Sequence, residues 1–416
     1  MILIWASPII LCLELLIKNK KNDCITLHKE HLNALYTNPL ASISKIVPKY
    51  YYLFILSLIA CRENKHVNIA QIDSSIRYQE ISKQQTDLIF EKIKEFPIKT
   101  QISFGFIKNG SVKFYGVTVD RDSVVTTENH QKVFEIGSIT KVFTSTLLAQ
   151  YVLEGRVGLE DNITDHMHID IKGNPGISFK QLANHTSGLP RLPSNIETVS
   201  FDPDNPYQAY GEKQLKQYLS EEMDLEQTPG ERFSYSNLGA GLLGFVIEKL
   251  DGKSYEQLVQ EKIFSKYLMI NSTTLRKSVE HILIKGLDEN GNEVSNWDLS
   301  VLVGAGGALS STEDLSKFVL AQFDPSNEVL KMTRSKTFTV NHISDIGLGW
   351  EIIKRKSGDF WYKHSGGTGG YTSSMIMDVN NKNGIVILAN VSAYNSKRSI
   401  IEDWSFELMK SLYQSN

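Results

Sequence analysis

Ser138 and Lys141 stand three residues apart in the segment Phe134-Glu135-Ile136-Gly137-Ser138-Ile139-Thr140-Lys141. If a helix begins at the serine, both side chains lie on one face. The helix N-terminus then places partial positive charge beside the serine oxygen. A buried, partly neutral lysine can take a serine proton, so the pair suits acyl transfer through a covalent ester. Alone the spacing is weak, and Ser42 and Lys45 repeat it by chance. Its weight comes from two further segments. Tyr235-Ser236-Asn237 follows 97 residues after Ser138, and His364-Ser365-Gly366 follows 129 residues after Tyr235. Glycines at 366, 367, 369 and 370 allow close approach of a substrate to a strand.

In this order, the three elements resemble the serine penicillin-recognising enzymes, and in particular the beta-lactamase-related branch containing class C β-lactamases and D-alanyl-D-alanine peptidases. QLANHTSGLP (181–190), GAGGALSSTEDLSKFV (304–319) and GRVGLEDNITDHM (155–167) add to the likeness, which covers roughly residues 85–410. The resemblance implies that Ser138 is the nucleophile and that Lys141 and Tyr235 share its proton and later serve the deacylating water. Which of the two is the base stays open. It also implies that Asn237 holds a substrate amide and that His364 and Ser365 face the substrate carboxylate from the opposite wall. The backbone N–H groups of Ser138 and Gly367 would form the oxyanion hole, where developing charge is stabilised most. The substrate would be a β-lactam, a D-amino-acid peptide or an ester, with no metal or cofactor.

The chain departs from the family pattern in places. The third motif opens with His364 where β-lactamases usually have lysine, which suits peptidases, D-aminopeptidases and esterases of the family better. A histidine with an ordinary pKa near 6.5 would bind a carboxylate less well as pH rises through that value. Lys266-Tyr267-Leu268-Met269 replaces the Pro-Leu-Gly-Met that often follows the middle helix. The class A pattern is absent: no Ser-Asp-Asn follows Ser138, and there is no Ω-loop glutamate.

Other chemistries have weaker footholds. His166, His168 and Asp170 resemble the start of a metallo-hydrolase run, but position 171 is Ile and no cysteine follows. Asp251-Gly252-Lys253-Ser254 looks like the end of a phosphate-binding loop, but residue 247 is Ile where the first glycine belongs. No Gly-x-Ser-x-Gly is present, which excludes an α/β-hydrolase. A non-enzymatic alternative is a penicillin-binding sensor on the same fold, against which the intact Ser138, Lys141, Tyr235 and His364 argue.

Composition narrows the field. The chain has 416 residues, with 44 Lys plus Arg against 47 Asp plus Glu. That balance argues against nucleic acid as a partner, because counterion displacement needs a basic face. Hydrophobic residues make up 41% and charged residues 22%, an ordinary globular composition. The three cysteines, Cys12, Cys24 and Cys61, all precede residue 62, so the rest of the chain has no internal disulfide and no thiol nucleophile.

The N-terminus reads as a targeting segment. Residues 50–60 form an apolar run of 11, too short to span a bilayer but suited to a signal peptide core. Lys45 and Lys49 precede it, and it ends Leu58-Ile59-Ala60-Cys61 before a polar stretch. This resembles a bacterial lipobox, in which Cys61 would be lipidated and anchor the mature chain on the extracytoplasmic, periplasmic side of a membrane. The expected organisation is residues 1–60 as extension plus signal peptide, 61–80 as tether and 81–416 as the hydrolase domain.

Within that domain, 87–96 has helical periodicity, and 102–120 alternates around Asn109-Gly110 as a hairpin. The middle reads as helical with long loops. Strands are expected at 347–353, 359–365, 371–380 and 384–392, then an amphipathic helix over 398–414. The expected fold class is α/β of the α+β type, beta-lactamase/transpeptidase-like: an antiparallel sheet built from both ends of the chain, flanked by helices, with an inserted, mostly helical lobe.

Overall fold

The computed structural model describes residues 81–121, 123–167, 170–198 and 202–414. The apolar leader, the lipobox and all three cysteines lie outside the described residues, as does His168. Strands β1 (Gln101–Lys108) and β2 (Ser111–Asp120) form the expected hairpin. Its turn residues Asn109 and Gly110 have φ of 52° and 77°, the left-handed values such a turn demands. A short β3 (Ser123–Thr126) extends the hairpin edge.

The rest of the main sheet comes from the far end of the chain: β6 (Phe338–Thr339), β7 (Ser344–Ile346), β8 (Glu351–Lys354), β9 (Phe360–Gly367), β10 (Thr372–Asp378) and β11 (Asn383–Ala389). The nine-stranded order is β3-β2-β1-β11-β10-β9-β8-β7-β6, and every pairing is antiparallel. The joint is the β1–β11 pair, with Ile102 opposite Ala389 and Ile107 opposite Gly384. The sheet is therefore built from both ends of the chain. Between them, β4 (Val133–Glu135) and β5 (Leu309–Ser311) pair as a separate two-stranded sheet.

Both faces of the central strands are buried. On one face Ile385 and Ile387 of β11 pack with Phe104, Ile376 and Trp404. Helices α1 (Lys83–Ile93) and α6 (Ser399–Ser411) supply Ile89, Ile93 and Leu408 to that side. On the other face Val386, Leu388, Met375 and Met377 meet the core of the helical lobe. This explains why β11 reads as a nearly continuous apolar run. The lobe is built on α2 (Thr140–Leu153), α3 (Phe179–Ala183), α4 (Asn237–Asp251) and α5 (Thr312–Gln322). Helices α2 and α4 are buried almost all round. No helix among the described residues is long and apolar enough to cross a membrane.

Candidate active site

β4 delivers the chain into a single 3-10 turn, Gly137–Ile139, from which α2 continues. Ser138 therefore sits in that turn, and the α-helix proper starts at Thr140. Thr140 Oγ1 donates to Gly137 O at 2.7 Å and accepts from Ala308 N at 3.1 Å, bracing the turn. Ser373 Oγ of β10 donates to Ile136 O at 2.8 Å and ties it to the main sheet. Gly137 has φ of 50°, and a Cβ there would lie 2.6 Å from Gly367 N, so only glycine lets the turn press against the end of β9. Ser138 and Gly367 consequently line one cleft, together with Asn237.

Lys141, in the first turn of α2, is 2% exposed. Its Nζ lies 2.9 Å from Ser138 Oγ, 2.9 Å from Asn237 Oδ1 and 2.6 Å from Ala305 O. Burial holds its pKa well below the usual lysine value, and the Arg191 charge adds to the effect. A neutral amine has two N–H donors and one lone pair. The Asn237 and Ala305 oxygens can only accept, so each takes an N–H from Nζ, which also donates to Ser138 Oγ; the lone pair that Lys141 gains on losing a proton is the one that faces Ser138. The Ala305 carbonyl is a member of the site that sequence reasoning missed. It lies inside the glycine-rich stretch noted above, but no side-chain signal marks a carbonyl.

Tyr235 and Asn237 are placed by the loop that precedes them in sequence. His185 O accepts from Ser234 N at 2.8 Å, and His185 Nδ1 accepts from Ser236 N at 3.2 Å. Ser236 caps α4 by accepting from Gly239 N at 2.8 Å, while its hydroxyl donates to Pro190 O at 2.7 Å. Arg191 O accepts from both Asn237 N and Leu238 N. The Tyr235 ring lies 4.9 Å from Lys141 Nζ. Burial pushes its phenol pKa up to about 12, opposed in part by a hydrogen bond with Ser138. The hydroxyl therefore stays protonated at neutral pH.

His364 and Ser365 lie on β9, opposite Met375 and Ser374 of β10. His364 Nδ1 is 2.8 Å from Ser365 O, an acceptor, which assigns the proton to Nδ1 and leaves Nε2 as an acceptor. Burial, then the Lys141 charge, pulls the imidazole pKa down to about 3. The near-neutral titration expected of His364 is therefore corrected. Half-buried on β9, with desolvation the largest cause, the ring stays neutral at physiological pH and does not offer a carboxylate a positive charge.

Several residues of the cleft had no sequence signature. Trp297 and Tyr207 line it, with rings edge to face at 5.3 Å, and the exposed Tyr394 extends this aromatic wall. Glu135, three residues before Ser138, holds the wall in place. Its Oε1 accepts from Trp297 N at 2.9 Å and Asn296 Nδ2 at 2.7 Å.

Of the suggested metallo-hydrolase run, His168 lies outside the described residues, and His166 is engaged elsewhere. His166 Nε2 lies 3.4 Å from Asp161, and its ring packs edge-on against Phe179. Among the described residues no group of three or more His, Cys, Asp or Glu is placed to hold a metal ion.

The turn bearing Ser138, buried Lys141, Tyr235 and the glycine-rich end of β9 thus meet around one cleft, and comparison with known proteins gives the family. The family profile described as Beta-lactamase matches residues 99–406. The chain belongs to the beta-lactamase family. Its fold is that of serine hydrolases and penicillin-binding proteins. It is 27% identical over 337 residues to Protein flp of Staphylococcus aureus (strain MW2), covering 75% of this chain and 64% of that protein. It is 25% identical over 284 residues to Penicillin-binding protein 4* of Bacillus subtilis (strain 168), covering 62% of this chain and 60% of that one. The chain thus spans just under two thirds of the length of these curated relatives. Among solved structures, a beta-lactamase/D-alanine carboxypeptidase from Yersinia pestis complexed with citrate superposes with a TM-score of 0.66 at 20% identity, over 80% of this chain and all of that one. An octameric penicillin-binding protein homologue from Pyrococcus abyssi gives 0.64 at 26% identity, over 79% and 77%.

Proposed function

We propose that this beta-lactamase family member is a serine hydrolase that cleaves an amide or ester bond through a covalent acyl-Ser138 intermediate. The observation that carries the reading is the placement of buried Lys141, whose Nζ is held 2.9 Å from Ser138 Oγ by two further acceptors, Asn237 Oδ1 and Ala305 O. In this reading Lys141 is the base. It takes the Ser138 proton as Oγ bonds to the substrate carbonyl carbon, and the resulting oxyanion is held by the Ser138 and Gly367 N–H groups. When the intermediate collapses, the bond to the leaving nitrogen or oxygen breaks. The leaving atom receives a proton from Tyr235, which is replenished from Lys141. Water then attacks the acyl ester by the same route in reverse, giving its proton to the Tyr235–Lys141 pair as Ser138 regains its own. The phenol pKa of about 12 favours Tyr235 as proton donor rather than resting base.

The aromatic wall of Tyr207, Trp297 and Tyr394 suits an apolar group on the acyl portion. Neutral His364, with an acceptor nitrogen, favours a donor on the substrate over a carboxylate at that position. Together these features support a peptidase or esterase more than a dedicated β-lactamase. Lipidation at Cys61 and an extracytoplasmic location complete the proposal. They rest on the lipobox-like sequence and are tested by following membrane association of Cys61→Ser.

Intact-protein mass spectrometry tests the chemistry. Wild type should gain one adduct with a fluorophosphonate and with penicillin, and Ser138→Ala should gain neither. An adduct on the alanine variant would overturn the assignment. An acyl-enzyme that forms but never turns over would favour the sensor alternative.

A further inference from the structure

Beside Tyr235 stands a cation that the chemistry above leaves unused. Arg191 follows the loop that carries His185, and its backbone is pinned where its carbonyl accepts from Asn237 N at 3.0 Å and Leu238 N at 3.1 Å. Its side chain is exposed, with the guanidinium carbon 5.2 Å from the centroid of the Tyr235 ring. No carboxylate among the described residues pairs with it, whereas Arg156 is bound to Asp251 at 2.6 Å and Arg276 to Asp298 at 3.0 Å. A guanidinium stacked on a ring uses its face and keeps its in-plane N–H fork free for bidentate contact with a carboxylate.

The other basic groups of the site are not available. Lys141 is committed to Ser138, Asn237 and Ala305. His364 gives its Nδ1 proton to Ser365 O. Lys363, next along β9, pairs with Glu402. Of these, Arg191 is the cation that meets an incoming anion, and it stands over the residue that hands a proton to the leaving group.

We infer that Arg191 is a specificity residue that recognises a carboxylate on the leaving-group portion of the substrate from the Tyr235 side of the site. The inference rests on the acyl-enzyme reading above. It moves carboxylate recognition from the His364 wall to the Tyr235 wall.

Matched substrate pairs with the full-length protein separate the possibilities. One pair is a D-Ala-D-Ala peptide acid and its C-terminal amide, with the charge on the leaving group. The other is p-nitrophenyl hemisuccinate and p-nitrophenyl butyrate, with the charge on the acyl group. Arg191→Gln should lower kcat/KM for the peptide acid by about 10–100-fold, the scale of one lost charge-assisted contact. Measured on the pH plateau above the acidic limb, the amide and both esters should change less than about threefold relative to wild type, and Arg191→Lys should restore part of the loss. Equal losses on acid and amide would overturn the inference, since Arg191 would then act through Tyr235 or Lys141. So would no loss at all, or a loss confined to the hemisuccinate. Failure of wild type to form any adduct at Ser138 would instead withdraw the acyl-enzyme reading, and this inference with it.

Discussion

The imidazole of His185 packs against the phenol ring of Tyr235, with centroids 4.4 Å apart and planes inclined by 33°. His185 is buried and has φ of 61°, a left-handed conformation that a histidine holds only where its surroundings fix it. Burial, then the Lys141 charge, keeps its pKa well below the usual histidine value, so a neutral ring fixes both the Tyr235 plane and Ser236 N. His185→Asn keeps a side-chain acceptor and tolerates the backbone, but removes the ring. It should lower kcat about 10–100-fold with little change in KM, because only proton delivery is disturbed. A raised KM at constant kcat would show that His185 shapes substrate binding instead.

Lys141→Ala and Tyr235→Phe should each lower kcat by about 10²–10⁴, and the double variant should lose far less than the product, because the two act as a unit. Multiplicative losses would show independent roles.

In the proposed mechanism the neutral Lys141 amine is the active form, so kcat/KM for an uncharged ester should fall as pH drops through its depressed pKa. The groups around it are Ser138, Tyr235, Asn237, His185, His364 and Arg191, and of these Arg191 carries a permanent charge. Removing that charge lets Lys141 hold its proton to higher pH. Arg191→Gln should therefore move the acidic limb of the ester profile upward, read from pH–rate curves. A downward shift would contradict the sign.

His364 should remain neutral from pH 5 to 8, given a pKa near 3. In a histidine NMR titration its ring signal should stay flat across that range. A midpoint near 6.5 would restore the ordinary value and the carboxylate role that goes with it.

Glu135→Ala should destabilise the protein by about 1–3 kcal/mol, because it strands the amide donors of Asn296 and Trp297. Burial raises the Glu135 pKa above its unfolded value of 4.5. The folded state then binds the proton more tightly, so the stability this group adds is full below 4.5 and declines as pH rises through the folded pKa. Glu135→Gln keeps an acceptor for both donors and removes the titration. Denaturant midpoints should shift in favour of glutamine between pH 4 and 7, and a shift the other way would mean that the ionised carboxylate is preferred.

What could be read from the sequence was local. Asn109-Gly110, the β11 run and the amphipathic 399–411 segment carry their signals within a few residues, and they fold as expected. The spacing of Ser138 and Lys141 likewise marks one helix turn. The pieces that complete the site are non-local. Ala305 contributes a backbone carbonyl, Trp297 arrives on a segment without periodicity, and Glu135 and His185 look like ordinary neighbours of a motif until the loops they hold are seen. The type of His364 was plain in the sequence. Its protonation was not, because its pKa is set by burial and by a lysine 223 residues away in the chain.

The β1–β11 joint pairs Ile102 with Ala389, so the ribosome must add some 287 further residues before β1, already paired to β2, gains its second neighbour. A pairing so distant along the chain is slow to form. Until it forms, β1 presents an open edge, and β10, which carries Ser373 against the nucleophile turn, has no completed sheet to rest on. A half-made chain thus carries Ser138 without the strand wall that faces it, and the cleft closes only after β10 and β11 have both been made.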